Sequence, residues 1–204
     1  DVHIDHERSD LFAQQPEDVL AAVTMVSDHL RKKGRAILSI KADGASVTPE
    51  QLVTVLKGKP PADVTLLEIQ SENVATLVND TLLELEGVLP DLADACHRLA
   101  EVFQGEAPDS GYEPFQQLAG IWGIIKEREC HIANALDLDL DALQVNGRAV
   151  GDIHKELNGF LLEAGDALKG NDCVLLGDLL EYELAPKAEA ERAIVALLRA
   201  RSQG

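Results

Sequence analysis

Apolar positions along residues 72–104 recur in alternating steps of four and three. Val74, Val78, Thr81, Leu85, Val88, Leu92, Ala95, Leu99 and Val102 make one row. Leu82, Leu89, Cys96 and Phe103 make a second row one residue later. Together they form a stripe about three positions wide per heptad, which suits a helix facing the core of a bundle. Ser71 is the expected N-cap, with Glu72 in the first turn. Pro90 interrupts the donor ladder, so a bend is expected near Glu86 and Gly87. This long helix is the element around which the remaining pattern is organised.

Before it, the periodicity mixes strand and helix. Val2 and Ile4 alternate with His3 and Asp5, a strand signal. Pro16, Glu17 and Asp18 open a helix whose apolar face holds Val19, Leu20, Val23, Val26 and Leu30, and Lys32, Lys33 and Gly34 close it. Residues 36–42 read as a buried strand, Asp43-Gly44 as a tight turn, and Val47 as a short return strand. Thr48, Pro49 and Gln51 make a capping box for a brief helix ending near Lys57-Gly58. Residues 64–69 are a further strand. This order predicts a ferredoxin-like strand and helix layer.

After it, three more helical patterns follow. Residues 113–136 carry Phe115, Leu118, Trp122, Ile125, Ile132 and Leu136 on one face, opened by an expected Ser110/Glu113 capping box. Residues 137–149 connect, with Asn146-Gly147 as a turn. Residues 150–169 place Ile153, Leu157, Phe160, Leu161, Ala164 and Leu168 together, and Gly170 ends them. Asn171 is the expected cap of a last segment that bends at Pro186 and runs to about Ala200. The fold class expected is mainly α with a small α+β part. Residues 1–70 form the α+β domain and residues 71–204 an antiparallel four-helix bundle.

Charge narrows the function classes. The net charge is −18, and most of it lies after residue 70. Such a field repels nucleic acid and anionic membrane surfaces. Aromatics are only 3% of the chain, so the core is aliphatic. Three cysteines without CxxC spacing point to a reduced, cytoplasmic setting. The longest apolar run, near residues 118–125, is too short to span a bilayer. No signal peptide is visible, and a start at Asp1 without Met is consistent with loss of a preceding segment.

Several constellations invite chemistry. Cys96-His97 and Cys130-His131 could offer four zinc donors, but folding their helices back on each other leaves the pairs roughly 15 Å apart. Asp94 and His97 have the spacing of a carboxylate–histidine pair, without the second copy that a di-iron bundle needs. Asp137, Asp139 and Asp141 resemble the start of a calcium loop, but Ala142 and Arg148 stand where it needs Gly and Glu. Asp178, Glu181, Tyr182 and Glu183 lie in an otherwise apolar helix and are expected to face a partner. Arg31, Lys32, Lys33 and Arg35 are the one basic cluster, a candidate contact for an anion or acidic partner.

These features assign no catalytic residue, metal or cofactor. They favour a non-enzymatic interaction module that binds a protein partner or forms a homodimer, with an apolar small ligand as a further option. Acidic helical-bundle cytoplasmic chaperones of bacterial export systems have a similar general make-up, in composition alone. The alternative is a metal-dependent or carboxylate-based enzyme with its site in the bundle.

Overall fold

The N-terminal alternation becomes strand β1 (Val2–Ile4), and a turn at Asp5 and His6 returns the chain as β2 (Glu7–Arg8). The computed structural model describes residues 1–12 and 15–203. Helix α1 (Val19–Lys32) follows, then β3 (Arg35–Ala42), β4 (Ala45–Val47), the short α2 (Leu52–Leu56) and β5 (Leu67–Asn73). Asp18 caps α1, accepting from Ala21 N at 2.7 Å, and also accepts from Gly58 N at 2.7 Å. Asp43 and Gly44 both have positive φ, 50° and 83°, as a tight β3–β4 hairpin requires. Gln51 Oε1 accepts from Thr48 N at 3.2 Å, as the capping pattern anticipates.

The chain divides into two compact units, Asp1–Leu77 and Val78–Gly204. In the first, the sheet order is β2-β1-β5-β3-β4. Strand β1 is parallel to β5, and β5 is antiparallel to β3. Val23, Val26 and Leu30 of α1 share a core with Ile40, Leu56, Leu67 and Ile69.

This arrangement corrects the ferredoxin-like expectation. That layer sets its return strand between the two strands that precede it, whereas here the last strand, β5, lies between β1 and β3 and the return strand β4 stands at the sheet edge. The tight Asp43-Gly44 turn folds β4 onto the outer side of β3, which leaves the inner side of β3 to β5.

A second correction concerns Ser71. It lies inside β5, not at a helix start. The strand continues to Asn73 because β3 pairs with it as far as Arg35. Ladder hydrogen bonds there outweigh the local capping signal. Helix α3 (Val74–Gln104) begins beyond it, with Asn73 Oδ1 accepting from Ala75 N at 2.8 Å.

Helix α3 runs through Pro90, and its buried line is Val78, Leu82, Leu85, Leu89, Leu92, Cys96, Leu99 and Phe103. The larger side chains of the second row therefore lead, and Val88 is exposed. In the second unit, α4 (Tyr112–Ala135), α5 (Val150–Lys169), α6 (Cys173–Asp178) and α7 (Ala185–Ser202) complete the helices. A two-stranded hairpin, β6 (Gln144–Val145) and β7 (Arg148–Ala149), turns at Asn146-Gly147 between α4 and α5.

Two caps differ from expectation. Ser110 Oγ donates to Ala107 O at 2.7 Å and does not cap α4. A Cβ on Gly111 would stand 2.8 Å from the Phe103 ring, so the entry to α4 is set by close packing. Asp172, not Asn171, caps α6, accepting from Leu175 N at 3.0 Å.

Between α6 and α7 the helix widens into a π turn over Leu179–Leu184, and Ala185 N donates to Leu180 O. Pro186 follows at once and has no N–H to give, so a displaced ladder accommodates it. The buried phase passes from Leu176 and Leu180 to Leu184, Ala188 and Glu191. Ion pairs bind helix to helix: Arg199 grips Glu86 through two nitrogens at 2.9 and 2.8 Å, and Arg128 meets Glu84 at 2.9 Å.

Candidate functional site

The residues singled out from sequence do not converge. Arg31, Lys32 and Lys33 are exposed at the end of α1. Arg35 is taken up inside its unit: Nε donates to Ser71 Oγ at 2.8 Å, and Nη2 meets Asp5 Oδ2 at 3.0 Å. Asp178 accepts from Gln104 Nε2 at 3.4 Å. Glu181, Tyr182 and Glu183 lie in the π turn, with Tyr182 65% exposed. Cys96 is buried, which pushes its thiol up to about 12, while His97, Cys130 and His131 face solvent. These two Cys-His pairs form no common site.

A different cluster forms inside the helical unit. Glu129 on α4, His154 on α5 and Glu191 on α7 point toward one another. Their nearest ligand-type atoms all lie within 4.8 Å. His154 Nε2 stands 3.0 Å from Glu129 Oε2 and 3.6 Å from Glu191 Oε2. Both glutamate side chains are 0% exposed and the histidine side chain 12%.

Each residue arrives there through helical periodicity. Glu129 continues the buried stripe Phe115, Leu118, Trp122, Ile125 and Ile132. His154 stands between the buried Ile153 and Leu157. Glu191 follows Leu184 and Ala188 in the phase set by the π turn.

The electrostatics are unusual for an interior. Both oxygens of each carboxylate, and His154 Nε2, lack an aligned protein hydrogen-bond partner. The 3.0 Å contact is therefore a close charge approach, not a well-directed hydrogen bond. Burial, followed by the neighbouring Glu191, pushes Glu129 up to about 8 against the pull of His154. Burial presses His154 down, but the two facing carboxylates outweigh it and hold the imidazole up to about 9. A set of two carboxylates and one imidazole can hold protons or a cation.

Nearby, Glu156 Oε2 receives both Lys187 Nζ and Arg148 Nη2 at 2.7 Å. The Lys187 side chain, 13% exposed, also stands 5.4 Å above the Phe160 ring. These two cations hold the Glu156 carboxyl down at about 2. The Lys187 contact joins α5 to α7 within two residues of His154.

The sequence reading missed the cluster, although a signal exists. The α4 stripe jumps from Ile125 to Ile132, and the residue that fills the missing step is Glu129. A charged residue at a core position of a regular stripe marks either a buried network or a site.

The same unit also carries an open apolar groove of about 320 Å³ between α3 and α4. Leu99 and Leu118 are buried in it, Val102 is half-buried, and Pro114 and Ile121 line it with Arg98. Ile121 is 36% exposed, and Ile124, one turn along, is 53% exposed. Among the described residues, no helix is long and apolar enough to cross a membrane.

The chain is 24% identical over 163 residues to an uncharacterized protein of Treponema pallidum (strain Nichols), an alignment covering 76% of each chain. No solved structure matches. Residues 80–192 match the family described as a domain of unknown function, DUF8042, a stretch that contains Glu129, His154 and Glu191. The chain belongs to that family.

Proposed function

We propose that this member of the DUF8042 family is a non-enzymatic interaction module whose helices serve as an antiparallel bundle. It engages a protein partner, or a second copy of itself, through the α3–α4 face. The observation that carries this reading is the apolar groove lined by Leu99, Val102, Leu118 and Ile121. Grooves of this kind accept the apolar ridge of an amphipathic helix. The net charge of −18 favours a partner whose ridge is framed by basic residues, and disfavours nucleic acid and anionic lipid. A cytoplasmic setting accords with three free cysteines.

Burial of the Glu129 and Glu191 carboxylates also supports binding over turnover, since a substrate in solution does not meet side chains that are 0% exposed. The second reading, a metal-dependent activity in the bundle, is favoured by the donor set of that cluster.

The test is association. Light scattering of the purified chain and affinity capture are compared for wild type and Ile121→Asp, with circular dichroism to confirm the fold. Loss of a dimer or captured partner in the variant is expected. A strictly monomeric wild type that retains no partner would overturn the reading.

A further inference from the structure

We infer that Glu129, His154 and Glu191 form a binding site for one first-row divalent transition-metal ion, held by an oxygen of each carboxylate and by His154 Nε2. Three observations converge on it. The first is spacing. Donors about 2.0–2.2 Å from one ion, at angles between a right angle and the tetrahedral value, stand roughly 2.8–3.6 Å apart. Nε2 stands 3.0 and 3.6 Å from the nearest oxygens of Glu129 and Glu191.

The second is satisfaction. Two glutamates with 0% side-chain exposure present four oxygens without a protein hydrogen-bond partner. Leaving such groups uncompensated is costly, and native interiors rarely do so. A single imidazole between them directs at most one Nε2–H, and it is aligned with neither carboxylate. A cation needs no such alignment, because it takes a lone pair from each donor at once.

The third is charge and donor type. Two carboxylates and a neutral imidazole balance a divalent ion. Two oxygens and one nitrogen suit zinc, iron(II), cobalt(II) or manganese(II). Calcium prefers six to eight oxygens, and copper(I) prefers sulfur. Because the donors come from α4, α5 and α7, the ion would join three helices at one point.

The experiment uses the full chain, stripped with a chelator, loaded with cobalt(II) and desalted. Elemental analysis, visible absorption and X-ray absorption are then recorded. The expected result is one cobalt per chain, ligand-field bands of a low-coordinate site, and a shell of nitrogen and oxygen with imidazole scattering and no sulfur. His154→Asn and the double variant Glu129→Gln/Glu191→Gln should each weaken binding by more than the roughly 10–100-fold that loss of an outer-sphere partner costs. Wild-type protein that retains no cobalt, zinc, iron or manganese would overturn the inference. So would sulfur in the shell, or a double variant that binds as wild type does. Should a variant fail to fold, the wild-type stoichiometry and absorption spectrum decide alone.

Discussion

The sheet unit and the helical unit each bury a polar cluster, but the two are built in opposite ways. In the sheet unit, Ser71 is buried and its N–H, Oγ and O are all matched by Asp5 and Arg35. Its N–H and Oγ donate to Asp5 at 2.7 and 2.8 Å, and Arg35 reaches Ser71 Oγ and O, both at 2.8 Å. In the helical unit, Glu129 and Glu191 are buried deeper and their oxygens are matched by nothing aligned. A satisfied network specifies structure, since its groups gain nothing from a further ligand. An unsatisfied one is held in place by surrounding packing and stands ready for something else.

The most forceful way to break this contrast is to remove the imidazole. In chelated protein, His154→Ala leaves two buried carboxylates without their cation. Removing one partner of a buried pair typically costs about 3–5 kcal/mol. Urea unfolding should show a loss of that size in the helical unit. A loss near zero would mean the cluster is already relaxed by protons alone.

Replacing the whole cluster should have the reverse sign. A Glu129→Met/His154→Leu/Glu191→Leu protein removes every buried charge at once. Such exchanges are often neutral or stabilising by about 1–4 kcal/mol. The same unfolding experiment on chelated protein checks it, and a marked destabilisation would show that the cluster holds its helices together without an ion.

Ser71→Ala sharpens the contrast from the other side. It strips a donor and an acceptor from a matched network and leaves Asp5 and Arg35 partly unpaired. The expected cost is about 1–3 kcal/mol, read from the sheet unit's unfolding. Chelation should leave that cost unchanged.

Acid gives the smallest effect. Asp5 is held below its ordinary value of 3.8, first by the Ser71 backbone N–H and against burial, then by the Ser71 hydroxyl and Arg35. Its folded value lies below its unfolded one. Its contribution is therefore complete above the unfolded value and is lost as pH falls through the lower folded value. Sheet-unit stability should decline below about pH 4, and Asp5→Asn should flatten that decline. An identical acid profile in the variant would remove Asp5 from the explanation.

Much of the architecture is legible in local pattern. The spacing of apolar residues marks α5, and Gly170 marks its end, because both signals act within one helix. Asp43-Gly44 likewise marks its own turn. Ser71 shows where local signals stop. Followed by Glu72, it has the chemistry of a helix cap, yet pairing with β3 carries the strand past it.

The β6–β7 hairpin escaped for another reason. Its strands have two residues each, too few for an alternation to register. The buried cluster was hardest to see, because its members come from three helices and only packing brings them together. Glu129 alone left a trace, as the gap in the α4 stripe.

The central claim is that the helical unit's buried cluster is a cation site while the sheet unit's is complete without one. Hydrogen exchange, followed peptide by peptide in chelated and zinc-loaded protein, tests it directly. Binding of an ion to the folded state stabilises it by about 2.7 kcal/mol at a hundred times the dissociation constant. The account predicts slower exchange on loading around Glu129, His154 and Glu191, and no change around Ser71. Equal protection of both units, or none in either, would contradict it.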